Sequence, residues 1–212
     1  MLDACPLCFT GPSQHFFTDA RRDYLRCTQC ALIFVPKAFH LSSANEKAHY
    51  DLHQNDPCDI RYRRFLSRLF NPLNEKLPAH SHGLDFGSGP GPTLSVMLAE
   101  AGHKTDIYDV YYANDPTVLA HDFDFITATE VVEHLSAPGQ VLEMLWGRLN
   151  KNGWLGIMTR LVDGSEAFAR WHYINDPTHI AFFSRETFLS LGRRWATPVE
   201  FVGNDVIIFE KK

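Results

Sequence analysis

Residues 83–93 read G-L-D-F-G-S-G-P-G-P-T, and the rest of the chain is organised around them. His82, Leu84 and Phe86 end a buried run that leads into a glycine loop. Gly87, Gly89 and Gly91 fall at every second position. Glycine accepts a positive φ and lets backbone come close to a ligand. Helical periodicity follows at once, with Leu94, Met97 and Leu98 on one face and Ser95 and Glu100 elsewhere. Strand, glycine loop and helix make the first unit of a doubly wound nucleotide-binding sheet.

Asp85 stands two residues before the first glycine, giving D-x-G-x-G-x-G. Pro92 occupies the last glycine position of G-x-G-x-x-G, which argues against a nicotinamide dehydrogenase. The stretch resembles the cofactor loop of class I S-adenosylmethionine-dependent methyltransferases. Downstream, Asp106-Ile107-Tyr108-Asp109 is similar to that family's second strand, residues 124–135 to its fourth strand and following short helix, and residues 153–160 to its fifth strand. The resemblance covers roughly the last 130 residues, in the family's order. It implies an α/β, Rossmann-like methyltransferase sheet. It also implies that Asp85, Gly87, Ser88, Gly89 and Gly91 hold S-adenosylmethionine and that Asp109 takes the ribose hydroxyls.

These residue types suit that cofactor. It carries a sulfonium, an amino acid end and an adenosine, but no phosphate. Its loop therefore needs close backbone approach more than a phosphate cradle. A carboxylate at the end of the second strand accepts hydrogen bonds from two vicinal hydroxyls. Thr129 and Glu130 fall at the carboxyl end of the fourth strand, where ligands of such sheets sit, and join the candidate cofactor residues.

At 212 residues the chain has room for one α/β domain and a small appendage. An apolar content of 45% supplies a globular core. A formal net charge of −5 argues against nucleic acid as a partner. No apolar run reaches membrane-spanning length, and the first residues do not form a signal peptide, so a cytoplasmic protein is expected.

Four of the five cysteines lie in the first thirty residues, as Cys5-x-x-Cys8 and Cys27-x-x-Cys30. Two such knuckles complete a tetrahedral sulfur site that suits Zn²⁺, with no open position for catalysis. Phe16, Phe17, Tyr24 and Leu25 are expected to form the strands of a zinc ribbon over residues 1–40. Residues 41–80 read as a helical connector, with Asp56-Pro57 capping a helix that runs to Phe70 before Pro72. Arg61, Arg63, Arg64 and Arg68 on it are either a solvated face or an anion-binding one, and Tyr50 and Tyr62 are candidates to line the cofactor.

Residues 81–212 then form the methyltransferase domain. Only residues 111–122 are available where the resemblance implies a third strand and an adenine contact, so that strand is expected to be vestigial, with Asp122 a poor stand-in. Ser136 is expected to cap a helix over 140–149, followed by a fifth strand over 154–158. Ser184 is expected to cap a last helix ending near Gly192, and residues 198–209 to form an antiparallel hairpin turned at Gly203-Asn204. Between them, Trp171, His172, Tyr173, Asp176, Pro177, Thr178 and His179 leave the ligand edge of the sheet.

Methyl transfer is an in-line displacement that needs an aligned nucleophile and, for a protonated one, a base. His134 and His179 are the candidate catalytic residues, because imidazole suits that task near neutral pH. The expected function is methyl transfer to a small molecule such as a sugar or a carboxylate-bearing metabolite. Two alternatives stand beside it: an RNA methyltransferase whose ribbon, carrying Arg21, Arg22 and Arg26, recognises RNA, and a non-catalytic cofactor-binding scaffold.

Overall fold

The computed structural model describes residues 4–10, 12–52 and 55–212. Strands β1 (Ser13–Thr18), β2 (Asp23–Cys27) and β3 (Ile33–Phe34) come first, then helices α1 (Ser43–Tyr50) and α2 (Ile60–Asn74). The glycine loop joins β4 (His82–Phe86) to α3 (Thr93–Glu100), and β5 (Lys104–Tyr108) and β6 (Phe123–Thr129) follow. Next are α4 (Pro138–Gly147), β7 (Leu149–Met158), the single turn α5 (Ser165–Phe168) and the short β8 (Ala181–Phe182). Helix α6 (Arg185–Arg194) and the hairpin β9 (Val199–Val202) and β10 (Val206–Glu210) end the chain.

The main sheet has the order β5-β4-β6-β7-β10-β9. Its first four strands are parallel, and β10 pairs antiparallel with both β7 and β9. This is the doubly wound α/β sheet with a C-terminal antiparallel hairpin that the glycine-loop pattern implies. The period-2 alternation of the strands splits the core between its faces. Phe125, Met158, Val206 and Ile208 meet Leu66, Leu69 and Leu73 of α2 and Leu94, Met97 and Leu98 of α3. Ile126, Ala128, Ile157, Ile207 and Phe209 point the other way, toward Leu142 and Leu145 of α4 and Phe188 and Leu191 of α6. Among the described residues no helix is long and apolar enough to cross a membrane.

Several boundaries differ from expectation. Helix α2 starts after Asp59, whose side chain accepts from the Arg61 N–H, and it continues through Pro72. A proline in the last turn removes only one helical hydrogen bond, and Leu73 beyond it is fully buried. Helix α4 begins at Pro138, a residue preordered for a first helical position, and Ser136 does not cap it. Leu149 then opens β7, which is longer than expected. After the second cysteine pair the chain adds only the two-residue strand β3. As the short spacing implies, no strand lies between β5 and β6 among the described residues; a 3-10 turn at Val118–Ala120 takes its place. Arg63 and Arg68 pair with Glu100 and Asp205, so these two tie α2 to the domain. Ser184 caps α6 with a capping box to Thr187, as its position predicts.

The second sheet, β1-β2-β3-β8, joins the two ends of the sequence. Ile33 pairs with Phe182 and Phe34 with Ala181, so the N-terminal hairpin and the segment after β7 share one ladder. Leu69 is wholly buried between α2 and the close-packed Gly156 of β7. Leu69→Ala should therefore cost about 2–5 kcal/mol, the range for a large-to-small change in a core, read as a lowered urea midpoint at unchanged slope.

Candidate functional site

The loop after β4 is shaped by its glycines. Gly87 has φ of +72°, and a Cβ there would lie 2.4 Å from Val131. At Gly91 a Cβ would lie 1.9 Å from the Asn55 carbonyl oxygen, so only glycine lets the connector cross the loop so closely. The Gly87 N–H donates to the Tyr108 carbonyl at 2.7 Å. The Gly89 N–H donates to Asp109 Oδ2 at 3.0 Å, while Asp109 Oδ1 accepts from the N–H groups of Tyr111 at 2.8 Å and Tyr112 at 3.1 Å. Asp109 is thus held at the end of β5, facing the loop. Asp85 is buried and accepts from Thr127 Oγ1 at 2.8 Å. Burial pushes its pKa up to about 6, and the charge of Asp109 adds to the shift.

A cavity of about 1130 Å³ lies over these strand ends. Asp85, Gly87, Ser88, Gly89, Asp109, Thr129 and Glu130 all line it, together with both candidate histidines. Gly91 does not; it is packed under Asn55. Tyr50 and Tyr62 line the cavity from the connector. Helix α1 roofs it, with Glu46 accepting from Tyr50 at 3.0 Å and from Tyr111 at 2.7 Å, and Asp51 accepting from Tyr112 at 2.7 Å. Asp122 lies at the opposite end of β6, exposed and 3.9 Å from Arg148, away from any adenine site here.

The far wall is built from the 3-10 turn Val132–His134 and the segment after β7. Glu130 sits in the left-handed region at φ of +53° and turns the chain out of β6. Burial, and next the neighbouring Glu133, push its pKa up to about 8. Glu133 has no exposed surface; it accepts from Thr159 Oγ1 at 3.0 Å and from the Tyr173 hydroxyl. His134 Nδ1 lies 3.2 Å from the Thr178 carbonyl oxygen and His179 Nδ1 lies 2.8 Å from that of Tyr173. A carbonyl only accepts, so each Nδ1 carries a proton. The two rings are 4.7 Å apart. Burial, and next His134, hold the His179 pKa below its usual value.

A family model for a methyltransferase domain matches residues 58–194, more than half of the chain. The chain belongs to that family. Solved structures similar to this methyltransferase domain include a SAM-dependent methyltransferase from Archaeoglobus fulgidus, at 16% identity and TM-score 0.54 over 72% of this chain and 94% of that one. An O-methyltransferase family protein from Burkholderia thailandensis is 12% identical with TM-score 0.52, over 82% of this chain and 63% of that one. The 1,6-didemethyltoxoflavin-N1-methyltransferase of the same organism, solved with 1,6-didemethyltoxoflavin and S-adenosylhomocysteine, is 14% identical with TM-score 0.49 over 94% and 99%. At such identities the likeness is one of fold. No curated protein matches the chain.

The methyltransferase domain fits a sulfonium nucleoside in two respects. Its acidic wall offers Asp85, Asp109 and Glu130 to a cationic ligand. The Ser88 hydroxyl is buried with no hydrogen-bond partner among the described residues, in the loop where a bound ligand would satisfy it. The cysteines also fit a metal. Cys5 and Cys30 sulfurs are 3.5 Å apart, as are those of Cys8 and Cys27, and all four lie within 4.8 Å of one another. Around a Zn²⁺ with bonds of about 2.3 Å, sulfurs of a tetrahedron stand about 3.8 Å apart. The N–H groups of Gln29 and Cys30 point at the Cys27 sulfur at 3.4 and 3.5 Å, which suits a thiolate.

Three participants escape sequence reasoning. Glu133 carries no local sign of burial. Asn55 is recognisable only once it crosses Gly91. Arg22 reads as a surface charge, yet it is 6% exposed. Its guanidinium donates to the carbonyls of Ile174 at 3.0 Å, Asp176 at 3.0 Å and Pro177 at 3.2 Å. Arg21 adds bonds to Ile174 and Asn175. The N-terminal hairpin therefore grips the loop that carries His179. Losing charge-assisted hydrogen bonds of about 1.5–3 kcal/mol each should let Arg22→Met exchange its amide hydrogens over residues 174–179 at least about tenfold faster. Unchanged exchange there would remove the grip.

Proposed function

We propose that this methyltransferase domain moves a methyl group from S-adenosylmethionine to a small molecule held between the glycine loop and residues 172–180. The cavity carries the reading: it brings the glycine loop, the strand-end carboxylates and two imidazoles to one place. When bound, the cofactor supplies a methyl group already activated on a sulfonium. The chain's own residues bind and orient. Asp109 takes the ribose hydroxyls, Gly87, Ser88 and Gly89 meet the amino acid end, and Asp85, Thr129 and Glu130 complete the wall. Gly91 gives the connector room to close over the loop.

On the acceptor side, His179 is kept neutral by burial, with its proton on Nδ1 and a lone pair on Nε2. That atom suits a proton leaving the acceptor, and His134 stands beside it. The aromatic rings of Tyr50 and Tyr173 flank the two imidazoles and exclude water from the transfer. A small acceptor agrees with the ribbon's arginines, which are committed within the molecule: Arg21 and Arg22 to the loop and Arg26 to Glu186. An RNA-binding ribbon would need them free.

Residues 1–40, 41–80 and 81–212 serve in this reading as ribbon, roof and catalytic domain. The ribbon is built on Zn²⁺ held by Cys5, Cys8, Cys27 and Cys30, a structural ion with a closed shell.

Calorimetry with S-adenosylhomocysteine tests the cofactor site. Binding is expected, and Asp109→Ala should weaken it by about 1.5–3 kcal/mol, the value of a hydrogen bond to a charged group. No heat at millimolar ligand, or unchanged affinity in the variant, would contradict the assignment.

Elemental analysis of protein purified without added metal should give one zinc per chain, falling in Cys27→Ser/Cys30→Ser. Folding of so small a module draws on the metal, so the double variant should also lose protection in residues 13–34.

A further inference from the structure

We propose that the acceptor is a monocarboxylic acid with an apolar body, and that Lys37 holds its carboxylate. The proposal rests on the reading of the cavity as the methyl-transfer site and names the class of molecule that site takes. Among the described residues Lys37 is the only lysine or arginine that lines the cavity.

The backbone places Lys37 on the acceptor wall. The Val35 N–H donates to the Ile180 carbonyl at 2.9 Å, next to His179. After Pro36 the chain makes a 3-10 turn over Lys37–Phe39. His40 Nε2 donates to the Val35 carbonyl at 2.9 Å and fastens the far end of that turn. The turn therefore lies against the segment that carries His179, on the wall away from the glycine loop.

The charges on this wall are matched except one. Glu46 accepts from the hydroxyls of Tyr50 and Tyr111. Asp176 accepts from the N–H and hydroxyl of Thr178, and His49 and His179 stand 3.3 and 3.8 Å from it. The Lys37 ammonium has three donors and no hydrogen bond or ion pair with any described residue. Lysine is a compact charge on a flexible stem, so it reaches an anion inside the cavity without fixing the anion's outline. A single negative charge suits one cation on a wall that also holds two carboxylates, because a second would meet Glu46 and Asp176 unopposed. Leu41, Leu135, Val141 and Ile180 also line the cavity and offer apolar surface to the body of the ligand.

A carboxylate has no proton to lose, so it does not need the base. It anchors the acceptor, and the methyl group goes to a hydroxyl or amine elsewhere on the same molecule. The bond from sulfur to methyl breaks as the bond from that atom forms, and the displaced proton passes to His179 Nε2. The cofactor's own carboxylate belongs to the glycine loop, on the opposite wall.

Benzoate serves as the probe, titrated by saturation-transfer NMR into the full chain with S-adenosylhomocysteine bound. Saturable binding at millimolar benzoate is expected. Benzamide, its neutral isostere, should bind at least about tenfold more weakly, as for loss of a hydrogen bond to a charged group. Lys37→Met should weaken benzoate by a similar factor, and Lys37→Arg, which keeps the charge, should restore most of the affinity. Lys37 is exposed, so both variants should melt as the unmodified chain does. S-adenosylhomocysteine should bind Lys37→Met unchanged, and phenyl phosphate, with its second charge, should bind less tightly than benzoate. Any of four results would overturn the proposal: no binding at millimolar benzoate, benzamide or phenyl phosphate as tight as benzoate, unchanged benzoate affinity in Lys37→Met, or a matching loss of S-adenosylhomocysteine affinity in that variant. S-adenosylhomocysteine binding to the unmodified chain, measured without benzoate, tests the methyl-transfer reading separately.

Discussion

Strand β4 is hydrogen-bonded on both sides, to β5 and to β6, and all three run parallel. Everything at the site depends on that double pairing. Parallel strands align their carboxyl ends, so Phe86, Tyr108 and Thr129 finish at one edge of the sheet. The glycine loop, Asp109 and Glu130 then converge without any long loop to bring them together. Such convergence at the carboxyl edge is where open α/β sheets hold ligands. The antiparallel hairpin β9–β10 closes the other flank and leaves that edge free.

The N-terminal segment is more than an appendage. Two strands of its hairpin, then β3, lead through the ladder to β8, and so to the loop bearing His179. Tyr24, Ile33, Phe168, Ile174 and Phe182 pack together as one apolar cluster beneath that loop. The cysteine end of the N-terminal hairpin docks on the main core, where Gly139 of α4 meets the Leu7 carbonyl. A loop of this length would be mobile on its own. Here Arg22 supplies donors to three of its carbonyls. The N-terminal module thereby shapes a cavity that its own Lys37 and His40 also line.

The cavity itself concentrates buried acid. Burial disfavours the charged forms of Asp85 and Glu130 and raises both above ordinary carboxylates. Folding alone does not reward such an arrangement, and strongly perturbed groups gather where ligands bind. The left-handed Glu130 points the same way, since strained backbone clusters at functional sites.

How much of this is legible in the sequence follows from the range of the forces involved. The strand, glycine loop and helix around Gly87 are local, set by backbone sterics and apolar spacing. So are the Ser184 cap, the Gly203 turn and the two cysteine pairs, and all of them stand in the structure where the residues place them. The sequence by itself therefore determined the fold class, the sheet edge that carries the glycine loop and the pairing of the four cysteines. Helix boundaries were weaker, because Pro72 and Pro138 act according to which turn they occupy, and that depends on packing beyond them. Tertiary structure alone decided that Glu133 is buried, that Arg22 is spent on the loop after β7, and that His134 and His179 face each other. Burial and long-range partnership depend on which distant segments come together, and no local spacing encodes them.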